Sequence, residues 1–289
     1  MASMRDIKRR KGSIQSTQQI TKAMKLVSTV KLQRAKGRAE QSKTYFDCMY
    51  ETVNSILQRV GDMQHKYLQP GATGKKAIIV ITSNRGLAGG YNSNVIKLVT
   101  QGGFSPEDCV IYAIGKKGKE SLARYGYPIQ ADLSDMIEDP VYVDALNLSN
   151  KLLDGFAAGE ISEIYLAYTN FKNTVVHIPK MLKLLPVEVA KQEVEEKAEK
   201  EGPTIPMNFE PEDEEALNML IPKYITSLIY GAMVEAVASE NGARMQAMDS
   251  ATSNAEEMIS KLTLMYNRAR QGSITQELTE IIAGAEAIS

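Results

Sequence analysis

Residues 221–269 read IPKYITSLIYGAMVEAVASENGARMQAMDSATSNAEEMISKLTLMYNRA. Ile221, Ile225, Leu228, Ala232, Ala236, Ala243, Ala247, Ala251, Ala255, Met258, Leu262, Met265 and Ala269 recur here, mostly at steps of three and four. That is the period of one helical face. The pattern spans about Pro211 to Ile288, and a helix of roughly 75 residues would be about 110 Å long. No single core wraps such a rod. The spacing therefore predicts a coiled-coil seam, with the alanines from 232 to 255 admitting a second helix at close range.

The same chain supplies that second helix. From Met4 to about Arg59 there is no proline, and the only glycines are Gly12 and Gly37, which predicts a helix of roughly 55 residues and about 80 Å. Its apolar positions are sparse: Ile7, Ile14, Ile20, Met24, Val27, Val30, Ala35 and Ala39. An antiparallel pairing of the two terminal helices is the simplest way to cover both stripes.

The middle has a different texture. Ala77–Ser83, Cys109–Ile114 and Ile161–Thr169 are apolar, β-rich runs bounded by turn signals. Helical patterns follow the first two and precede the third, and Val175–Lys183 offers a further strand at the sheet edge. Strands alternating with helices point to a mostly parallel sheet. The expected organisation is an N-terminal coiled-coil helix (1–60), a small Rossmann-like α/β domain (75–190), an acidic connection (191–210) and a C-terminal coiled-coil helix (211–289). The fold class is α/β plus a long antiparallel two-helix coiled coil.

Charge is balanced overall, 34 Lys and Arg against 35 Asp and Glu, so no global field argues for nucleic acid or membrane. Locally it is not. Residues 1–39 carry eleven basic side chains against Asp6 alone, and residues 191–215 carry ten acidic against three basic. Positive charge at the N-terminus is not followed by an apolar stretch, which predicts no secretory signal. Tyr224–Val234 falls short of a membrane span. Cys48 and Cys109 are the only cysteines, fitting free thiols in a reducing compartment.

Ligand-site signals are weak. Ser83–Asn92 (SNRGLAGGYN) lies between a strand and a helix, where glycines can cradle a phosphate. Its spacing does not fit G-x-G-x-x-G, and no Lys-Ser/Thr pair follows. A tight structural turn is the better reading, and Gly86→Val is expected to damage folding or assembly without abolishing nucleotide binding. Gly71–Lys76 (GATGKK) fails the P-loop spacing, as does Gly115–Lys119 (GKKGK), which reads as a solvated helix start. His65 and His177 are the only histidines, over a hundred positions apart. They read as surface or packing residues instead of a triad or zinc cluster.

The segment Ala238–Ala287, and within it Ile274-Thr275-Gln276-Glu277-Leu278-Thr279-Glu280 followed by Gly284-Ala285, resembles the C-terminal signature of the γ subunits of F-type ATP synthases, bacterial type. Ile20–Ser28 and the Ser83–Asn92 loop resemble two further blocks of that family, in the same order. The resemblance implies a non-catalytic, cofactor-free shaft, one copy per complex, inserted into a ring of three α and three β subunits. The α/β domain would lie near the ε subunit and the membrane c-ring, peripheral to the cytoplasmic face of a bacterial cell membrane and without insertion into it. Proton flow would turn the c-ring and shaft together while chemistry happens on β, and the shaft would regulate ATPase activity. By the same resemblance Arg244, Gln271, Thr275 and Glu277 fall where the shaft bonds to β loops. Met24 and Lys25 fall near an acidic lever segment of β, and Met207, Phe209 and Glu210 at the foot on the c-ring. Chloroplast relatives carry a cysteine pair in the middle region; Leu185–Leu217 contains no cysteine, which implies no thiol switch.

Two other readings stand beside this one. A coiled-coil adaptor would bind nucleic acid through its basic N-terminal helix, although aromatic residues for stacking are missing before Tyr45 and Phe46. A nucleotide-binding enzyme would use the Gly86–Gly90 loop.

Overall fold

The computed structural model describes residues 4–60, 65–69, 71, 74–187 and 213–286. Two compact units emerge: Met1–Thr29 with Arg244–Ser289, and Val30–Ala243. Helix α1 (Met4–Val60) and helix α5 (Asp213–Glu286) contribute to both. Helix α5 continues through Pro222, which supplies no N–H to the carbonyl of Asn218.

The second unit is built on β1 (Lys75–Ile81), α2 (Tyr91–Gln101), β2 (Cys109–Ile114), α3 (Lys116–Arg124), β3 (Ile129–Asp132), a 3-10 turn (Ser134–Ile137), α4 (Tyr142–Ala157), β4 (Ile161–Phe171) and β5 (His177–Leu185). The strand order is β3-β2-β1-β4-β5. The first four strands run parallel, and β5 pairs antiparallel to β4 at the edge. β3 escaped the sequence reading because its four residues are only half apolar and alternate between half-buried and exposed.

β1 is apolar on both faces, as a central parallel strand must be. Ile78 and Val80 pack with Val95, Val99, Ile111 and Leu122 beneath α2 and α3. Ile79 and Ile81 pack on the opposite face with Leu152 of α4, with Val53, Ile56 and Leu57 of α1, and with Ile221, Ile225, Ile229 and Met233 of α5. Those long helices therefore form part of the α/β core. Close approaches depend on small residues: Gly231 lies against the Phe46 ring, and a Cβ at Gly242 would stand 2.5 Å from His177 Nε2.

Thr82 and Ser83, expected in the first strand, leave it because their polar groups serve the next crossover. Thr82 N–H donates to Ile114 O, and its hydroxyl accepts from Gly118 N–H at 2.8 Å. Gly115 (φ 120°) has no room for a side chain, since a Cβ would stand 2.1 Å from Thr82 O. The Gly115–Lys119 segment is thus a packed junction, with Gly118 buried, and not only a solvated helix start. Gly86 is the reverse case: nothing lies within 4 Å of a Cβ there, so the expected damage to folding is withdrawn. Gly115→Ala should lower the urea-unfolding free energy by about 3 kcal/mol, strain and overlap together, while Gly86→Ala stays within about 0.5 kcal/mol. Equal effects would contradict the assignment.

His65 is buried and accepts from Tyr67 N–H at its Nδ1, and His177 is half-buried against Phe171. Burial holds His177 below its ordinary 6.5. The unfolded chain then takes up this proton more readily than the folded one. The stabilisation is complete above pH 6.5 and is lost as pH falls through the lowered folded value. His177→Gln should flatten the wild-type slope of stability against pH just below neutrality; a parallel profile would remove His177 from the account.

Candidate functional site: the helical pair and its exposed end

In the first unit, α1 buries Ile7, Thr21 and Ser28, with Lys11, Ile14, Gln18 and Lys25 half-buried between them. The steps alternate four and three, the 3.5-residue repeat of a coiled-coil seam. On α5 the matching series is Met248, Thr252, Ala255, Ile259, Leu262, Tyr266, Ala269 and Ser273, buried or half-buried at the same alternation. Lys25 Nζ bonds Asp249 at 2.6 Å, Thr21 and Thr252 hydroxyls share a 2.8 Å hydrogen bond, and Gln18 Nε2 donates to Glu256 at 3.0 Å. Position falls on α1 as it rises on α5, so the helices are antiparallel.

Ile7, Ile14, Ala255, Leu262 and Ala269 lie in the seam as expected, and four other expected positions do not. Ile20 and Val27 are 60% and 58% exposed, and Met258 and Met265 are exposed as well. Each lies one position from a seam residue, which turns its side chain by roughly 100° around the helix. The repeat runs through Thr21, Ser28 and Thr252 instead, polar residues that a search for apolar stripes passes over.

The residues assigned by resemblance fall in two groups. Met24 and Lys25 are half-buried on α1, and Arg244 is nearly buried at the start of the α5 portion of this unit. Lys25 is already engaged by Asp249. Gln271, Thr275 and Glu277 lie about 40–50 Å further along α5 from Arg244, at 1.5 Å per residue. From Arg270 to Ala285 every residue except Ser273 is exposed. Polar contacts there stay within the helix: Thr275 Oγ1 donates to Gln271 O, and Gln276 Nε2 to Glu280. Beside them run Ile274, Leu278, Ile281 and Ile282, an exposed apolar stripe. Its 3.6-residue spacing was visible in the sequence; that nothing among the described residues covers it was not. Met207, Phe209 and Glu210 lie outside the described residues.

A nucleotide has no place to bind in the usual position. In an open α/β sheet that is the crevice at the strand C-termini where strand order reverses, here between β1 and β4. Helix α5 fills it: Ser239 Oγ donates to Thr169 O, Asn170 Nδ2 to Glu235, and Tyr91 Oη to Ala236 O. The first N–H groups of α3 are also taken. Lys116 N–H bonds Asn84 Oδ1, Lys117 N–H bonds Ser83 O and Gly118 N–H bonds Thr82 Oγ1. Asp132, held down to about 2 chiefly by the Lys119 ammonium and then by the Ser134 hydroxyl, is a satisfied ion pair. Among the described residues there is no cluster of metal-ligating side chains, and no helix is long and apolar enough to cross a membrane.

Comparison with known proteins places this geometry. A family model described as ATP synthase matches residues 3–288. The ATP synthase gamma chain of Lachnoclostridium phytofermentans is 65% identical over 291 residues, covering 100% of both chains. A chain from the Tetrahymena thermophila mitochondrial ATP synthase central stalk and c-ring superposes with a TM-score of 0.58 at 24% identity, covering 80% of this chain and 99% of that one. One from the Euglena gracilis mitochondrial ATP synthase assembly of OSCP, F1 and c-ring gives 0.67 at 19% identity, covering 99% and 94%. At such identities the structural likeness speaks for the fold.

The Lys25–Asp249 pair is partly exposed on both sides, and exposed pairs contribute between about 0 and 1 kcal/mol. A Lys25→Ala and Asp249→Ala double-mutant cycle on the isolated chain should therefore give a coupling below about 1 kcal/mol. A larger value would make the pair a structural pin.

Proposed function

The chain belongs to the ATP synthase gamma-chain family and is a non-catalytic component of the central stalk; from that premise we propose that it is the rotor shaft coupling ion-driven rotation to the catalytic sites. The carrying observation is full-length identity of 65% to a gamma chain. In this reading one copy stands inside a ring of three α and three β subunits. Its α/β unit faces the ε subunit and a proton-driven c-ring, on the cytoplasmic side of a bacterial membrane. The domain divisions 1–60, 75–190, 191–210 and 211–289 serve as rod, body, connection and rod. The contacts with the ring are assigned to Met24, Lys25, Arg244, Gln271, Thr275 and Glu277, and those with the c-ring to Met207, Phe209 and Glu210.

The physical demand on such a shaft is to bias three identical sites toward different conformations, and a partner does that only through differential interaction. Moving one site from 1:99 to 99:1 takes about 5.5 kcal/mol. Exposed Ile274, Leu278, Ile281 and Ile282 offer apolar area on one side of the helix, with Gln271, Thr275 and Glu277 for directed polar contacts. Lys25 would exchange Asp249 for an acidic group of the lever as each β site closes. That swap is inexpensive because the existing pair is solvent-exposed.

The test is reconstitution with α and β subunits, following ATP hydrolysis and the rotation of an attached probe. Cys48 is exposed and suited to carrying the probe, whereas Cys109 is buried, its thiol pushed up by burial. Unidirectional rotation that stops without ATP is expected; a chain that fails to join the ring at moderate salt would sink the reading. Within the assembled complex, Glu277→Gln and Thr275→Val should each slow turnover by roughly tenfold, the loss of one directed hydrogen bond. Both residues are exposed, so the isolated chain should melt within about 1 °C of wild type.

A further inference from the structure

The start of α4 carries a group of exposed apolar side chains. Val141, Tyr142, Val143 and Leu146, at and just inside the start of α4, are 47%, 37%, 56% and 37% exposed, and Tyr45 of α1 is 49% exposed. Tyr142 and Leu146 stand one helical turn apart, as do Val143 and Leu146. The Tyr142 ring meets Tyr230 edge-on at 5.8 Å, which anchors the group to α5. Tyr45 meets the Phe46 ring at 6.1 Å, and Phe46 lies 6.4 Å from the same Tyr230 ring, so α1 and α4 contribute to one aromatic group. Contiguous exposed apolar side chains with aromatic members are the composition of a protein interface.

The charge around them selects the partner. From Ile129 to Asn150 the chain carries Asp132, Asp135, Glu138, Asp139 and Asp144 and no lysine or arginine. Asp132 is held by Lys119 and Asp139 by Arg38. Asp135 and Glu138 are exposed, Asp144 is half-buried, and none of these three has an ion-pair partner among the described residues. Burying the apolar side chains would strip water from these carboxylates, which is unfavourable unless cations replace it. An anionic lipid surface or a nucleic acid would be repelled. A second copy, meeting the face through two-fold symmetry, would bring the same acidic residues together.

We propose that Tyr45, Val141, Tyr142, Val143 and Leu146 form a docking platform for a basic amphipathic helix of another subunit of the same ATP synthase complex. Its apolar stripe lies on Val143 and Leu146, and its lysines or arginines meet Asp135, Glu138 and Asp144. The proposal rests on the rotor-shaft reading, because it takes the partner from that complex.

The experiment replaces Val143 with the photo-crosslinker p-benzoylphenylalanine in the whole complex and sequences the captured peptide, with the same residue at exposed Tyr125 as control. The expected product is a segment with apolar residues at helical spacing flanked by Lys or Arg. Its yield should fall roughly fivefold between low salt and about 0.5 M salt, and likewise in Asp135→Asn/Glu138→Gln/Asp144→Asn at low salt. A captured segment that is neutral or acidic, a salt-independent yield, or no product above the Tyr125 control would overturn it. If no product forms while the chain still copurifies with the α and β subunits, the platform fails and the rotor reading stands. A chain that does not copurify with them counts against both.

Discussion

The structure depends on one packing interaction: the lower half of α5 lies on the sheet face that β1, β4 and α4 leave open. Ile221, Ile225 and Ile229 and Met233 have no solvent exposure and share one core with Ile79, Ile81 and Leu152. Each such side chain contributes about 1.5–3 kcal/mol on burial, so this turn-by-turn contact outweighs any of the surface ion pairs. It makes a helix of 74 residues a part of the domain core. The same helix then fills the switch-point crevice through Glu235, Ala236 and Ser239. In an architecture known for binding nucleotides, the chain's own helix here occupies the switch point.

The first unit mixes polar and apolar side chains both in its seam and on its outer surface. Polar rungs cross between the helices: Thr21 with Thr252 in the seam, and Lys25 with Asp249 and Gln18 with Glu256 at its margin. Ile20, Leu26, Val27, Leu264, Met265 and Leu278 face outward. Polar seam positions specify register at a cost in stability. Outward apolar side chains stay in water unless another protein surrounds them. Both features suit a rod whose stable state is inside an assembly, and the intrachain pairing has to set register without holding the rod alone.

How far the site was legible follows from these particulars. The signature around Thr275 and Glu277 was readable by resemblance, because it sits on a helix with no local constraint competing for its side chains. Lys25 was readable as basic and placed on the right helix, but its partner Asp249 is 224 positions away, and only the antiparallel register brings them together. Arg244 was assigned by resemblance alone, and its burial depends on neighbours no local window contains. The loop at Gly86–Gly90 was correctly read as a turn. The glycine whose conformation matters nearby is Gly115, and that follows from the position of Thr82 across the sheet.

The sequence by itself determined the elements apart from the short β3. Two proline-poor helical runs at the ends, three β-rich stretches separated by helical patterns, and a further edge strand are all local consequences of periodicity and turn chemistry. Only the tertiary structure decided which face of each helix is inside. Where the 3.5-residue seam runs through Thr21 and Ser28 it carries no hydrophobic signal, so Ile20 and Val27, one position away, stood in for them in the reading. Burial is a property of two surfaces meeting, and a single strand of residues specifies only one of them.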